Sequence, residues 1–230
     1  ETWSANSRAE FRHSETDDKY GLMTGVFGEP EDGLGLSASF RLFDTETVAG
    51  TDTTAADLRF GLARRPRNTA WIVLDRLDLV YEKETGGSSD LESRRVINNF
   101  NANFKPDGKF QASFQYGAKY VFDTINDGDY GGYTDLVGIE ARYDITRRFD
   151  VGLHGGMLHS WNSGQIDYLT GASLGCDIVK NFWLSFGYNF TGFTDKDFSA
   201  ANFTAQGPFI QFRVKFDQAT AKEAVELLDK

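Results

Sequence analysis

The segment F-Q-A-S-F-Q-Y-G-A-K-Y-V-F, residues 110–122, alternates apolar and polar side chains almost without a break. Its even positions carry Phe, Ala or Tyr, and its odd positions carry Gln, Ser, Gly, Lys or Val. A period of two places each class on one face of a β-strand, whereas the 3.6-residue period of a helix would mix them. The segment therefore predicts a strand with one apolar and one polar face.

The same alternation recurs along most of the chain. It predicts about twelve strands, near residues 3–12, 21–29, 34–42, 56–64, 70–82, 94–105, 110–122, 137–145, 149–157, 168–178, 182–190 and 210–216. The expected fold class is all-β: a transmembrane, antiparallel, up-and-down β-barrel.

The predicted connections alternate in length. The short ones are Glu29–Gly33, Arg65–Asn68, Pro106–Lys109, Thr146–Arg148 and Lys180–Asn181. The long polar ones are His13–Lys19, Asp44–Thr54, Lys83–Glu92, Thr124–Gly132, Asn162–Gln165 and Thr194–Gln206, of which Asn162–Gln165 is the shortest. Short periplasmic turns and longer outer loops are typical of transmembrane β-barrels. An even strand number then predicts that both termini are periplasmic.

Composition excludes several other classes of protein. The chain has 230 residues, 24 Lys+Arg against 34 Asp+Glu, and 1 Cys. The formal net charge of -10 argues against a nucleic-acid partner, because no cluster of Lys and Arg is present to neutralise phosphates. One cysteine excludes an internal disulfide and a multi-cysteine metal site. A chain that begins Glu1-Thr2-Trp3 is expected to be mature or excised.

The two strand faces differ in a way that favours a membrane. The polar faces are rich in Gly, Ser, Asn and Gln, which suit a confined lumen, and aromatic residues cluster near the predicted strand ends, as in the girdles of membrane barrels. A soluble β-sandwich or calycin-like barrel also alternates, and it remains the alternative.

One strand conflicts with this pattern at Asp75. If Leu77, Leu79 and Tyr81 face lipid, regular alternation turns Asp75 to the lipid as well, which is unfavourable. A β-bulge near Asp75–Arg76 would correct the phase, and a protein partner over the strand would cover the charge. Regular pairing with Asp75 facing lipid would contradict both expectations.

Several segments resemble known outer-membrane proteins. The stretch 207–216, with its Gly, alternating apolar residues and closing Phe, resembles the recognition signal of bacterial outer-membrane barrels, although 14 residues follow Phe216. The segments 74–78, 143–146 and 181–193 resemble the C-terminal barrel of large repeat-containing surface proteins of Gram-negative bacteria, over roughly residues 55–217. The resemblance implies an outer-membrane anchor, joined to a longer polypeptide, with no catalytic residue to carry over.

The last residues change from strand to helical spacing. Thr220–Leu228 carries apolar residues at helical intervals, and Thr220 with Glu223 fits a capping box. The expected organisation is a barrel over residues 1–217 and a periplasmic tail over 218–230 with a short amphipathic helix.

The sequence contains little that suggests an enzyme. His159 and Ser160 would form a nucleophile–base pair only on the same face, and alternation places them on opposite faces. Acidic loops such as Asp127–Asp129 match no defined calcium loop and are expected to be solvated. No catalytic residue, metal or cofactor is therefore expected.

The predicted lumen is the more promising region. Its transport candidates are Arg8, Arg12, Arg41, Arg59, Arg95, Lys119, Arg142, His154, Arg213 and Lys215. An open basic lumen would favour anions, whereas ion pairs of mixed sign would close it. The favoured function is anchoring or assembly of a larger surface or envelope protein, and the alternative is a narrow channel for small anions. A barrel-embedded enzyme ranks third. The expected partners are outer-membrane lipid with its lipopolysaccharide, the barrel-assembly machinery and envelope proteins.

Overall fold

A computed structural model describes residues 2–87, 89–179, 182–198 and 205–214. These residues form one sheet of 12 antiparallel strands in chain order. The strands are β1 (Thr2–His13), β2 (Asp17–Glu31), β3 (Leu34–Thr47), β4 (Asp52–Arg64), β5 (Trp71–Thr85), β6 (Leu91–Phe104), β7 (Phe110–Ile125), β8 (Gly128–Asp144), β9 (Phe149–Ser160), β10 (Gln165–Val179), β11 (Phe182–Thr191) and β12 (Gly207–Val214). The prediction of an all-β, up-and-down antiparallel sheet is confirmed.

The apolar face of the sheet points outward. Ile139, Leu153 and Leu174 lie in the middle of their strands, yet 62%, 63% and 64% of their surface is exposed. A soluble barrel or sandwich would bury such residues in a dry core. A continuous exposed band of this kind needs an apolar solvent or partner.

Aromatic side chains gather at two levels of this outer face. At one end Tyr120 contacts Phe122 and Tyr133, and Tyr133 contacts Trp161. At the opposite end Trp71 packs on Phe104, with ring centroids 4.6 Å apart. Two aromatic levels separated by an apolar band are the expected outer surface of a membrane barrel.

The predicted long loops are mostly strand, so the alternation of loop lengths was largely wrong. β3 and β4 continue through most of Asp44–Thr54, and Thr54 donates to Asp44 Oδ1 at 2.6 Å. The predicted loop Thr124–Gly132 is a tight hairpin, in which Asn126 and Asp127 have φ values of 46° and 67°. The residues of these predicted loops are polar because the strands extend beyond the apolar band. The reversal between β7 and β8 is short because two successive residues with positive φ form a two-residue turn. The chain between β11 and β12, residues 192–206, remains a long connection.

The connections between the strands lie at two opposite ends of the sheet, the turn end and the loop end. The turn end carries the connections 32–33, 65–70, 105–109 and 145–148, together with the start of β1 and the end of β12. The loop end carries the connections 14–16, 48–51, 86–90, 126–127, 161–164 and 192–206.

The structure contradicts the bulge expected in β5 near Asp75, while the expected protein partner over this strand stays a prediction. The strand pairs regularly on both sides, with Asp75 opposite Leu62 of β4 and Phe100 of β6, so no bulge is present there. Asp75 therefore lies on the outer face. Asn98 of β6 donates to Asp75 Oδ1 at 2.8 Å, so a neighbouring polar side chain, rather than a change of phase, accommodates the carboxylate.

The sheet is open between β1 and β12, because no pairing joins these strands within the described residues. The closed barrel expected from the sequence is thus only partly seen. The predicted helix at Thr220–Leu228 and the tail 218–230 lie outside the described residues.

Candidate functional site: the inner face and its inserted loop

Ion pairs cross the inner face of the sheet from strand to strand. Arg41 Nη2 lies 2.5 Å from Asp57 Oδ2, and Arg59 Nε lies 2.6 Å from Asp78 Oδ1. Asp78 is buried and also contacts Arg76 Nε at 2.9 Å. These charges occupy the polar positions that the strand alternation assigns to the inside.

Arg142 of β8 is the most enclosed cation of this face, with 8% of its surface exposed. Its Nη2 lies 2.5 Å from Asp150 Oδ1, its Nη1 donates to Glu140 Oε1 at 3.1 Å, and Nη2 also donates to Ser185. Because a guanidinium loses most of its field when two carboxylates adjoin it, Arg142 contributes little free positive potential to the interior.

The chain after β11 turns back over the inner face. Lys119 of β7 donates to Asp195 Oδ2 at 2.6 Å and to Asp197 Oδ2 at 3.0 Å. Arg95 of β6 lies 3.9 Å from Asp197, and Asn99 donates to the Asp197 carbonyl at 3.4 Å. We call residues 192–198 the inserted segment. Its carboxylates neutralise cations that the sequence assigned to the lumen.

The inserted segment is held by the ring of Phe198, which packs in the space that the missing side chain of Gly117 leaves on β7. Phe198 is fully buried, and a Cβ atom built on Gly117 of β7 would lie 2.5 Å from the Phe198 ring. Phe198 belongs to a cluster of buried apolar side chains: Ile97, Leu136, Leu158, Leu169, Phe193 and Phe198. This cluster is the apolar core of the described protein, and it is made from the inner face and the segment together.

A cavity of about 440 Å³ lies next to the inserted segment. Its wall combines polar side chains with the rings of Phe193 and Phe209. His154 and Asn189 share a hydrogen bond of 2.7 Å in this wall, and Arg142 lies at its edge. This part of the interior is therefore a pocket beside the segment, and His154 and Asn189 in its wall already bond to each other.

The ten predicted lumen residues have the following positions. Eight lie on described strands with known partners: Arg8 with Glu10, Arg12 with Asp17, Arg41 with Asp57, Arg59 with Asp78, Arg95 with Glu82 and Asp197, Lys119 with Asp195 and Asp197, Arg142 with Glu140 and Asp150, and His154 with Asn189. Arg213 is opposite Trp183 in the β11–β12 ladder. Lys215 lies outside the described residues.

The sequence does not single out the interior partners Asp195, Asp197 and Phe198, because its pattern predicts Thr194–Gln206 as a long polar connection. Two phenylalanines in a polar connection, at positions 193 and 198, were the available signal. Large apolar side chains in such a loop need a surface to cover them.

His159 lies on the outer face, as expected from the alternation. Its Nδ1 is 3.8 Å from Asp135 Oδ1, and its ring packs on Trp161 with centroids 4.4 Å apart. Ser160 of the same strand is opposite Thr134 and Gln165, on the other face. The histidine thus forms part of the aromatic level at the loop end.

Within the described part of the chain, no group of three His, Cys, Asp or Glu side chains is placed to hold a metal ion. The same residues include no helix of the length and apolarity required to cross a membrane.

Comparisons with known proteins give only distant similarity. No family model matches the chain, and no curated protein matches it. Among solved structures, the translocator domain of autotransporter NalP from Neisseria meningitidis is 8% identical, with coverage of 93% of this chain and 86% of that chain and a TM-score of 0.34. The NanC porin is 10% identical, with coverage of 94% and 98% and a TM-score of 0.39. The KdgM porin in complex with disordered oligogalacturonate is 12% identical, with coverage of 92% and 100% and a TM-score of 0.32. Similarity at this level carries no argument about function.

The architecture itself agrees with the outer-membrane barrels that the sequence resembles. The protein has 12 antiparallel strands in chain order, an apolar outer face and a polar inner face. These are properties of the chain's own structure, and they confirm the resemblance at the level of fold.

Proposed function

We propose that this chain is an outer-membrane β-barrel that anchors, or helps to assemble, a larger surface or envelope protein, and that its own β11–β12 connection closes its interior. The observation that supports this role is the inserted segment, in which Phe198 is fully buried and Lys119 binds both Asp195 and Asp197. A diffusion channel needs a continuous water-filled path, and a segment held in the interior by Phe198 and Lys119 speaks against one. An anchor needs only a stable wall.

The proposed orientation places the turn end in the periplasm. Both the start of β1 and the end of β12 are at the turn end, so both chain ends would be periplasmic. The inserted segment, residues 192–198, would then enter the interior from the outside, as expected for outer loops of such barrels. The partners in this role are the outer-membrane lipids with their lipopolysaccharide, the barrel-assembly machinery and the anchored envelope protein.

Conductance across planar lipid bilayers tests the role. We expect the full chain to insert and to give no stable current, whereas a variant with residues 194–206 replaced by a short Gly-Ser turn gives steady current. Stable current from the unaltered protein would overturn the closed-anchor proposal. A protein that stays monodisperse without detergent and does not insert would overturn the membrane assignment altogether.

The cavity favours a second candidate, a narrow channel for small anionic solutes. It adjoins Arg142 and His154, which are two of the predicted transport residues. In that case the unaltered protein would conduct with anion preference, and Arg142→Ala or Arg213→Ala would weaken the preference. The neutralised state of Arg142 makes this the less favoured candidate.

A further inference from the structure

The turn end has many cations without partners, unlike the inner face. Arg67 pairs with Asp32 at 2.7 Å. Six other exposed cations have no carboxylate within 4.0 Å among the described residues, and we call them the basic rim: Arg64, Arg65, Lys105, Lys109, Arg147 and Arg148. The described carboxylates at this end are Glu29, Glu31, Asp32, Asp107, Asp144 and Asp177. Two of them are engaged, since Asp32 binds Arg67 and Asp107 accepts from the backbone of its own turn. The basic rim therefore keeps a surplus of positive charge.

An apolar surface adjoins this basic rim on the inside of the sheet. A cavity of about 700 Å³ at the turn end is lined by Phe27, Ala63 and Ile72 together with charged residues of both signs: Arg65, Arg67, Lys105, Glu29 and Asp32. Phe27 is 49% exposed although it is large and apolar. The cavity thus offers an uncovered apolar wall beside unpaired cations.

The chain supplies a segment with the complementary chemistry. β12 runs toward the turn end, where Val214 pairs with Phe182, so the chain continues from that end of the sheet. Residues 217–230 carry Asp217, Glu223, Glu226 and Asp229 against Lys222 and Lys230. They also hold the apolar positions of an amphipathic helix: Ala221, Ala224, Val225, Leu227 and Leu228.

We propose that this C-terminal segment docks into the turn-end cavity as an amphipathic helix, with its apolar face on Phe27, Ala63 and Ile72 and its carboxylates at the basic rim. The linker 215–219 reaches at most about 17 Å when extended. Counted across the seam between β12 and β1, that length spans about three strands at roughly 4.8 Å each, so the docking requires these two strands to lie side by side. This inference concerns contacts within the chain and does not depend on the anchoring role.

Amide hydrogen exchange on the full chain in detergent micelles or nanodiscs tests the docking. We expect residues 220–228 to be protected by at least about tenfold over an unstructured peptide. Arg65→Glu with Lys105→Glu should remove this protection, and so should Phe27→Ser. Lys83→Glu is the matched control, because Lys83 is exposed and without an ion pair at the loop end, and it should leave the protection unchanged.

A reciprocal measurement keeps the test independent of any one variant. A chain that ends at residue 217 should lose protection at residues 65–70, while exchange within β7 stays the same. Tail amides that are unprotected in the full chain would overturn the proposal. Protection that survives Arg65→Glu/Lys105→Glu and rises with added lipid would also overturn it, because the segment would then lie on the membrane surface.

Discussion

The slot at Gly117 allows a direct test of whether the inserted segment closes the interior. A Cβ atom at this position would lie 2.5 Å from Phe198 Cδ1 and 2.8 Å from Cε1, well inside van der Waals contact. Gly117→Ala should therefore expel the ring while leaving β7 intact, since alanine is tolerated in a strand at least as well as glycine. Phe198→Ala removes the same contact from the other side.

The magnitude follows from the burial of one aromatic ring. Full burial of a Phe side chain stabilises the docked segment by about 1.5–3 kcal/mol. Loss of this term shifts the equilibrium between docked and undocked segment by about 10- to 150-fold. We expect each single variant to raise the frequency of open-channel events in planar bilayers by a factor in this range.

The double variant separates this mechanism from a general loosening. Once Phe198→Ala has removed the ring, Gly117→Ala should add almost nothing, so the two effects should not multiply. Gly61→Ala is the matched control, because its Cβ would meet Ser37 Oγ at 2.5 Å on β3, and no residue of the inserted segment is among the close atoms. Unchanged currents in both single variants, or effects that multiply in the double variant, would show that the contact between Gly117 and Phe198 does not hold the inserted segment in place.

Three further expectations concern other parts of the sheet. The double variant Asp75→Leu/Asn98→Leu should raise the free energy of unfolding in liposomes by about 1–2 kcal/mol, because both polar side chains lie on the outer face. The measurement is guanidinium denaturation, and a lower midpoint concentration would count against that placement. Arg142→Met should destabilise by about 3–5 kcal/mol, since it leaves Glu140 and Asp150 without their cation, whereas Arg8→Met, at an exposed pair, should cost under about 1 kcal/mol in the same denaturation assay. Backbone N–H groups of Phe110 and Lys109 lower the pKa of Asp107 below its usual 3.8, so the protection of the β6–β7 turn from hydrogen exchange should persist at neutral pH and fade as the pH drops below 3.8. Asp107→Asn keeps the acceptor oxygen and should abolish this acid transition. A transition that persists in the variant would assign it to another group.

The strand faces were predictable because alternation is a local property of the backbone. Residues 110–122 lie within β7, and their even positions face outward as the pattern requires. The ends of the strands were less predictable. Beyond the aromatic levels both faces are polar, so hydropathy no longer separates strand from loop, and only turn residues such as Asn126-Asp127 mark the reversal.

The candidate site was predictable only in part, for a different reason. Strand parity placed Lys119 among the lumen residues, but its partners Asp195 and Asp197 lie 76 and 78 positions away in a connection without periodicity. No local pattern links such residues. Asp75 shows the opposite case. The alternation alone predicts that this carboxylate faces outward, and the expected bulge departed from that rule. The alternation holds here because Asn98 on the adjacent strand stabilises an outward carboxylate.

The arrangement of charge connects the two candidate functions. On the described inner face Arg41, Arg59 and Arg142 pair with neighbouring carboxylates, and Lys119 and Arg95 find partners in the inserted segment itself. Withdrawal of that segment would therefore do two things at once: it would open the interior, and it would remove Asp195 and Asp197 from the cations they neutralise. An opened interior should favour anions more strongly than a chain with the segment in place. Silence in the unaltered protein, followed by anion-selective current after replacement of residues 194–206, would identify an anchor whose lumen has the charges of a channel. Current without anion preference after that replacement would show that the remaining inner-face pairs leave no positive field.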